Sequence, residues 1–254
     1  MNDTSDSPAS VVAPDAPQDS GSFFGNLFNL YFEPAATFPK IFAKSRVWLV
    51  ILLQTALAVG FSMIWLGKID AREFMRRQME HNPRIQQMPA EQVERILDTQ
   101  ARVMKKWGAI GPAFAPALVD LVCAGFLFFV FRFFLAAEVS FLQSLATTAW
   151  SLFAIGLIQT PMMLAILTVK DDWNVDPNQA IQASPALFAD QASVPGWLFS
   201  LLSSFDLFTF WTVFLLATGF AVAGKRNLST GLWGIGIPWA LWILLKMGFR
   251  LIFG

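Results

Sequence analysis

Five stretches of this chain are each long and apolar enough to cross a bilayer as a helix: Val47–Gly67, Gly111–Leu135, Phe141–Val169, Trp197–Ala223 and Ser229–Ile252. Traversing ~30 Å of hydrocarbon takes about 20 such residues. Inside lipid a segment must satisfy its own backbone N–H and C=O groups, which a helix does and an open strand does not. These runs therefore dictate an all-α integral membrane bundle of five transmembrane helices. The third run is the longest and contains Pro161, so a tilt or kink is expected there.

What lies outside the five runs is limited, because 55% of the chain is apolar, 14% is charged and the formal net charge is zero. No long basic tract offers a nucleic-acid surface. A single cysteine, Cys123, excludes an intrachain disulfide and any CxxC pair, and a single histidine, His81, excludes HExxH. No GxSxG, P-loop or metal-ligand cluster is present, so neither a catalytic residue, a metal site nor a cofactor is expected.

Residues 1–21 are rich in Ser, Asp, Pro and Ala and read as a disordered tail, since they carry too little apolar surface to offset ordering entropy. Their acidic start, with no small-residue cleavage site behind the first apolar run, does not fit a cleavable signal. Residues 22–46 are dense in aromatics, broken by Pro34 and Pro39, and end in Lys40, Lys44 and Arg46. That pattern fits an interfacial amphipathic segment, with Phe23, Phe24, Leu27, Phe28 and Tyr31 in the headgroup boundary. Residues 68–107 form the one sizeable polar region, split by Pro83 and Pro89 into an extramembrane helical hairpin between spans one and two. In its second half Val93, Ile96, Leu97, Met104 and Trp107 recur at helical spacing, opposite Glu91, Glu94, Arg95 and Arg102. Such a stripe serves a partner, the membrane surface or the protein's own bundle; His81 reads as a solvated side chain.

Orientation follows from basic residues. Lys40, Lys44, Arg46, Lys225 and Arg226 mark one face as cytoplasmic, and the acidic 170–196 loop, with Asp171, Asp172, Asp176 and Asp190, marks the other. The nine Lys and Arg of the hairpin oppose this assignment. The balance places the N-terminus in the cytoplasm and the C-terminus outside.

Two acids interrupt the oil. Asp206 stands nine residues beyond Trp197, and Asp120 nine beyond Gly111, each ~13 Å deep at 1.5 Å per residue. Counting back by the same amount from Val169 reaches Gln159 and Thr160, so the four residues are expected at one level. Ser203, Asp206 and Thr209, at i, i+3 and i+6, add a polar stripe to the fourth span. An exposed carboxylate at that depth costs at least ~2.5 kcal/mol, so these acids should face the bundle interior. Asp120, Gln159, Thr160, Ser203, Asp206 and Thr209 thus form a candidate intramembrane polar cluster, serving either interhelical hydrogen bonding or a proton or cation path.

The blocks "FFGNLFNLYFEPAATFPKIF" and "SFDLFTFWTVFLLATGFAVAGKRNLSTGLWGIGIPWALW" resemble the Yip family, named for Ypt/Rab-interacting proteins, and its bacterial members in particular. The most specific piece is Asp206-Leu207-Phe208 followed by Trp211, Gly219, Gly224 and the Ser229-Thr230-Gly231 turn. The resemblance implies five spans, a cytoplasmic N-terminus and an exoplasmic C-terminus. Its eukaryotic members carry a long cytosolic N-terminal region that this chain lacks, which argues against a small-GTPase partner. The expectation is a non-enzymatic scaffold or membrane-organising factor of the bacterial inner membrane, binding lipids, other membrane proteins or a second copy of itself. The alternative is a small transporter or channel that uses the carboxylate cluster.

Overall fold

The computed structural model describes residues 21–80, 85, 87–177, 184–188 and 194–253. The expected tail up to residue 20, His81 and Asp190 lie outside the described residues. Among the described residues every regular element is helical. Four helices are long and apolar enough to cross a membrane singly: α3 (Val47–Lys68), α6 (Ile110–Phe129, continued by a π turn at Val130–Phe134), α7 (Phe141–Lys170) and α10 (Leu228–Phe253). Two shorter helices, α8 (Gly196–Ser204) and α9 (Leu207–Ala223), pass the same test only as a pair bent by 52°. Counted as one span, that pair makes the fifth crossing.

The expected continuous helix over 197–223 is thus broken at Ser204–Leu207, and the local sequence explains why. Ser203 and Ser204 turn their hydroxyls back onto the carbonyls of Phe199 and Ser200, both at 2.7 Å, a pairing that bends helices. Asp206 then starts a new helix rather than continuing the old one.

The N-terminal segment packs more deeply than an interfacial strip. Helix α1 (Phe23–Phe32) begins where Ser22 accepts the Gly25 N–H at 3.0 Å, and α2 (Pro34–Ala43) begins at Pro34, whose missing N–H is no loss in a first turn. Phe24, Phe28 and Phe32 lie along one face of α1, exposed, while Phe23, Leu27, Leu30 and Tyr31 turn inward. The Tyr31 hydroxyl donates to the Ala154 carbonyl at 2.6 Å. Helix α2 is drawn into the bundle: Thr37, Phe38 and Ile41 are fully buried. Gly219 on α9 makes room for it, because a Cβ there would stand 2.7 Å from Phe38 Cζ and against the Thr147 methyl. At the centre, Trp150 is buried, with its indole N–H donating to the Ser45 carbonyl at 2.8 Å.

The two ends of the bundle differ. At one, a Ser140–Gln143 capping box opens α7, and Arg226 donates to the carbonyl of Ala136 at 2.7 Å. Lys40, Lys44, Arg46, Arg132 and Lys225 gather at this end. At the other end stands the hairpin of α4 (Ala71–Glu80) and α5 (Ala90–Trp107). Ile69, Ala71 and Phe74 pack on Trp65, Ala101 and Met104, and Arg72 pairs with Glu94 and Asp98 across the two helices. Leu97 of the expected stripe is buried, whereas Trp107 is exposed beneath the Lys106 ammonium. Three contacts fix the end of α3 and the hairpin to the segment after α7. Trp65 Nε1 donates to the Trp173 carbonyl at 3.1 Å, the Asp70 N–H to Asn174 at 2.8 Å, and Arg77 pairs with Asp172 at 2.9 Å.

Candidate functional site

Asp120 is the natural centre of a site, because α6 carries it into the junction with α3 and α7 at 0% exposure. Neither carboxylate oxygen accepts a hydrogen bond. The Gln54 side chain of α3 turns its NH2 toward the carboxyl at longer than hydrogen-bonding geometry, and its own Oε1 is buried and unpartnered. On α7 the hydroxyls of Thr147 and Ser151 are buried and unpartnered as well. Orphaned polar groups of this kind ordinarily cost about 1–3 kcal/mol each, and more when charged, which singles out Asp120 among the four.

The register between α6 and α7 is set by Ser144, whose hydroxyl donates to the Ala124 carbonyl at 2.7 Å. One turn further into both helices, Asp120 is level with Thr148. Gln159 and Thr160 lie at least eleven residues beyond that level, ~16 Å along the axis, and do not meet Asp120. The even count from each span's end fails because α7 has 30 residues, and its last turns run on past the start of α6. Thr160 lines a groove there instead; Gln159 is half-buried.

Asp206 also stands apart from Asp120. Its Oδ1 accepts the N–H groups of Phe208 and Thr209 at 2.9 and 3.0 Å, and its Oδ2 accepts the Thr209 hydroxyl. It is the N-cap of α9, supplying an acceptor to donors that a new helix leaves open. Ser203 is spent on its own helix, so the residues 203, 206 and 209 form a helix break and its cap rather than a stripe. Sequence reasoning missed two residues. Gln54 hides in an otherwise apolar span; Lys246, the one cation of the last run before Arg250, brings its ammonium to Ser204 Oγ at 3.1 Å, two residues from Asp206.

A groove of about 740 Å³ opens beneath the hairpin between α3, α6 and the end of α7. It is mostly apolar, with Ser62, Gln78, Thr160 and Asp176 along its wall. Its lining includes Ala58 and Pro116, each four positions, one helical turn, from Gln54 and Asp120 respectively. Among the described residues no three His, Cys, Asp or Glu side chains converge as a metal-binding group.

A family model described as Yip1 domain matches residues 28–249, a range that takes in both α1–α2 and the bent pair. None of the curated proteins and none of the solved structures compared with the chain gives a match.

Proposed function

The chain belongs to the Yip1 domain family, and from that premise we propose that it is a non-enzymatic scaffold, a membrane-organising factor that holds other membrane proteins or lipids. It is a multi-pass membrane protein, and we assign it to the bacterial inner membrane, with the Lys40–Arg46 end and the N-terminus in the cytoplasm. The observation that carries the scaffold reading is the hairpin. Its inner seam is consumed by packing and two tethers, Asp70 to Asn174 and Arg77 to Asp172, fix it to the segment after α7, so its charged outer face, with Glu91, Arg95 and Arg102 exposed, is presented in one orientation. The outward row of Phe24, Phe28 and Phe32 gives a second surface suited to the lipid boundary or to another apolar helix. Photo-crosslinking from position 95 or 102 in native membranes tests this: discrete protein adducts, a second copy of the chain included, are expected. Capture of lipid alone from both positions would remove the scaffold reading.

One observation favours a second reading, a small transporter or channel, and that is the groove ending one turn from an unpartnered carboxylate. Ion or proton flux into proteoliposomes, lost in Asp120→Asn, separates this reading from the first. Asp206 is the poorer position for that test, since it is occupied in capping α9.

A further inference from the structure

We propose that Asp120, paired with Gln54 one helical turn beyond the end of the groove beneath the hairpin, is a proton-binding site that exchanges with the aqueous phase on the hairpin side. The pair has an unmet need that one proton supplies. A carboxylate and an amide oxygen are both acceptors, and here neither is closed onto a donor, the Gln54 NH2 only leaning toward the carboxyl. A proton taken from water turns Asp120 into a carboxylic acid, whose O–H donates to Gln54 Oε1. When the proton returns to water, the Gln54 amide rotates about its soft terminal torsion and its NH2 donates to the carboxylate. Both states are then hydrogen-bonded, and one rotation separates them.

The surroundings suit a single proton rather than a bulkier charge. From α3 Asp120 meets Gln54, and on its own helix the one titratable neighbour is Cys123; among the described residues no cationic or anionic side chain acts on it. A route is present as well. The groove descends from Gln78 and Ser62 to Ala58 and Pro116, one turn from the pair. Pro116 has no N–H to give the carbonyl of Pro112, a groove residue, so an acceptor for water is left open on that path.

Infrared spectroscopy of the full chain in liposomes tests the assignment. A protonated-carboxyl C=O band should be present, vanish completely in Asp120→Asn, survive in Asp206→Asn, and shift when D2O replaces water without unfolding. No band that depends on Asp120, or one that shifts only on unfolding, overturns the proposal. If Asp120→Asn fails to fold, Gln54→Leu replaces it: the band must move when the amide acceptor is lost, and an unmoved band overturns the pairing. In a Cys123→Ala background, Ala58→Cys and Ser62→Cys should react with a small charged thiol reagent, and their modification should slow the D2O shift. Exclusion of the reagent from both positions, as in a groove filled by lipid chains, overturns the route. The proposal deepens the transport reading, yet fails separately from it: exchange at Asp120 without net flux removes transport and leaves the site.

Discussion

Asp206 and Asp120 each stand nine residues into an apolar run, yet Asp206 accepts three hydrogen bonds and Asp120 accepts none. The difference lies in the backbone around them. At Asp206 the helix breaks, and a new helix start exposes N–H donors that a carboxylate fills. At Asp120 the helix runs on, its N–H groups are used by the preceding turn, and the proline one turn away frees only a carbonyl, which a carboxylate cannot use. In the absence of water an acid is structural where the chain stops its helix beside it, and it stays chemically available where the helix continues.

The sharpest way to break that contrast is to reverse the charge at both positions. Asp120→Lys places an ammonium where the described residues offer no counter-charge, so a loss of about 3–5 kcal/mol is expected, enough to remove most folded protein. Asp206→Lys should still yield a folded bundle. Monodisperse yield after mild-detergent extraction measures both, and equal tolerance at the two positions would show that Asp120 is not sealed among neutral groups.

Removing the carboxylates gives the middle effect, in the opposite order. Asp206→Ala strips the α9 cap and should cost about 1 kcal/mol, while Asp206→Ser restores most of it. Asp120→Asn keeps both a donor and an acceptor for Gln54 and should stay within about 0.5 kcal/mol of the parent. Reversible unfolding in mixed micelles compares them, and a larger loss at Asp120 than at Asp206 would mean that Asp120, not the cap, is the structural acid.

The fold was more legible in the sequence than this site was. Hydropathy runs of 20 residues and more set the spans, because the bilayer imposes one length on all of them. The position of the polar hairpin and its buried Leu97 followed from helical spacing. Depth counting failed at Gln159 and Thr160, since it assumes that every helix begins and ends at the same plane, and α7 overshoots α6. The break at Ser204–Leu207 was written in Ser-Ser-Phe-Asp, a back-bonding pair followed by a cap, but the apolar residues around it masked the signal. Gln54 was invisible because one amide in an apolar span is unremarkable until a second helix brings a carboxylate to it. Burial of α2 was hidden for a similar reason: Phe38 and Gly219 become complementary only once α2 and α9 touch.

The finest test extends the comparison to a third aspartate, Asp70, which does in water what Asp206 does in the bundle. The backbone N–H groups of Arg72 and Glu73 donate to its Oδ1 at 2.9 and 3.1 Å at the start of α4. Those N–H groups, Glu73's first and Arg72's second, hold the Asp70 carboxyl below its usual range. Glu73 is likewise held low, by hydrogen bonds from Arg76 and then Arg77. A carboxyl depressed in the folded state stabilises fully above its unfolded value and loses that contribution as pH falls through the folded one. Amide protection in the first turn of α4, corrected for intrinsic exchange rates, should therefore hold from neutral pH to about pH 4 and decline below it. Asp70→Asn keeps an acceptor that does not titrate and should remove the part of the decline that belongs to the cap, leaving the part due to Glu73. If the decline in the first-turn amides were unchanged by Asp70→Asn, the cap would not be what anchors α4, and the parallel with Asp206 would rest on geometry alone.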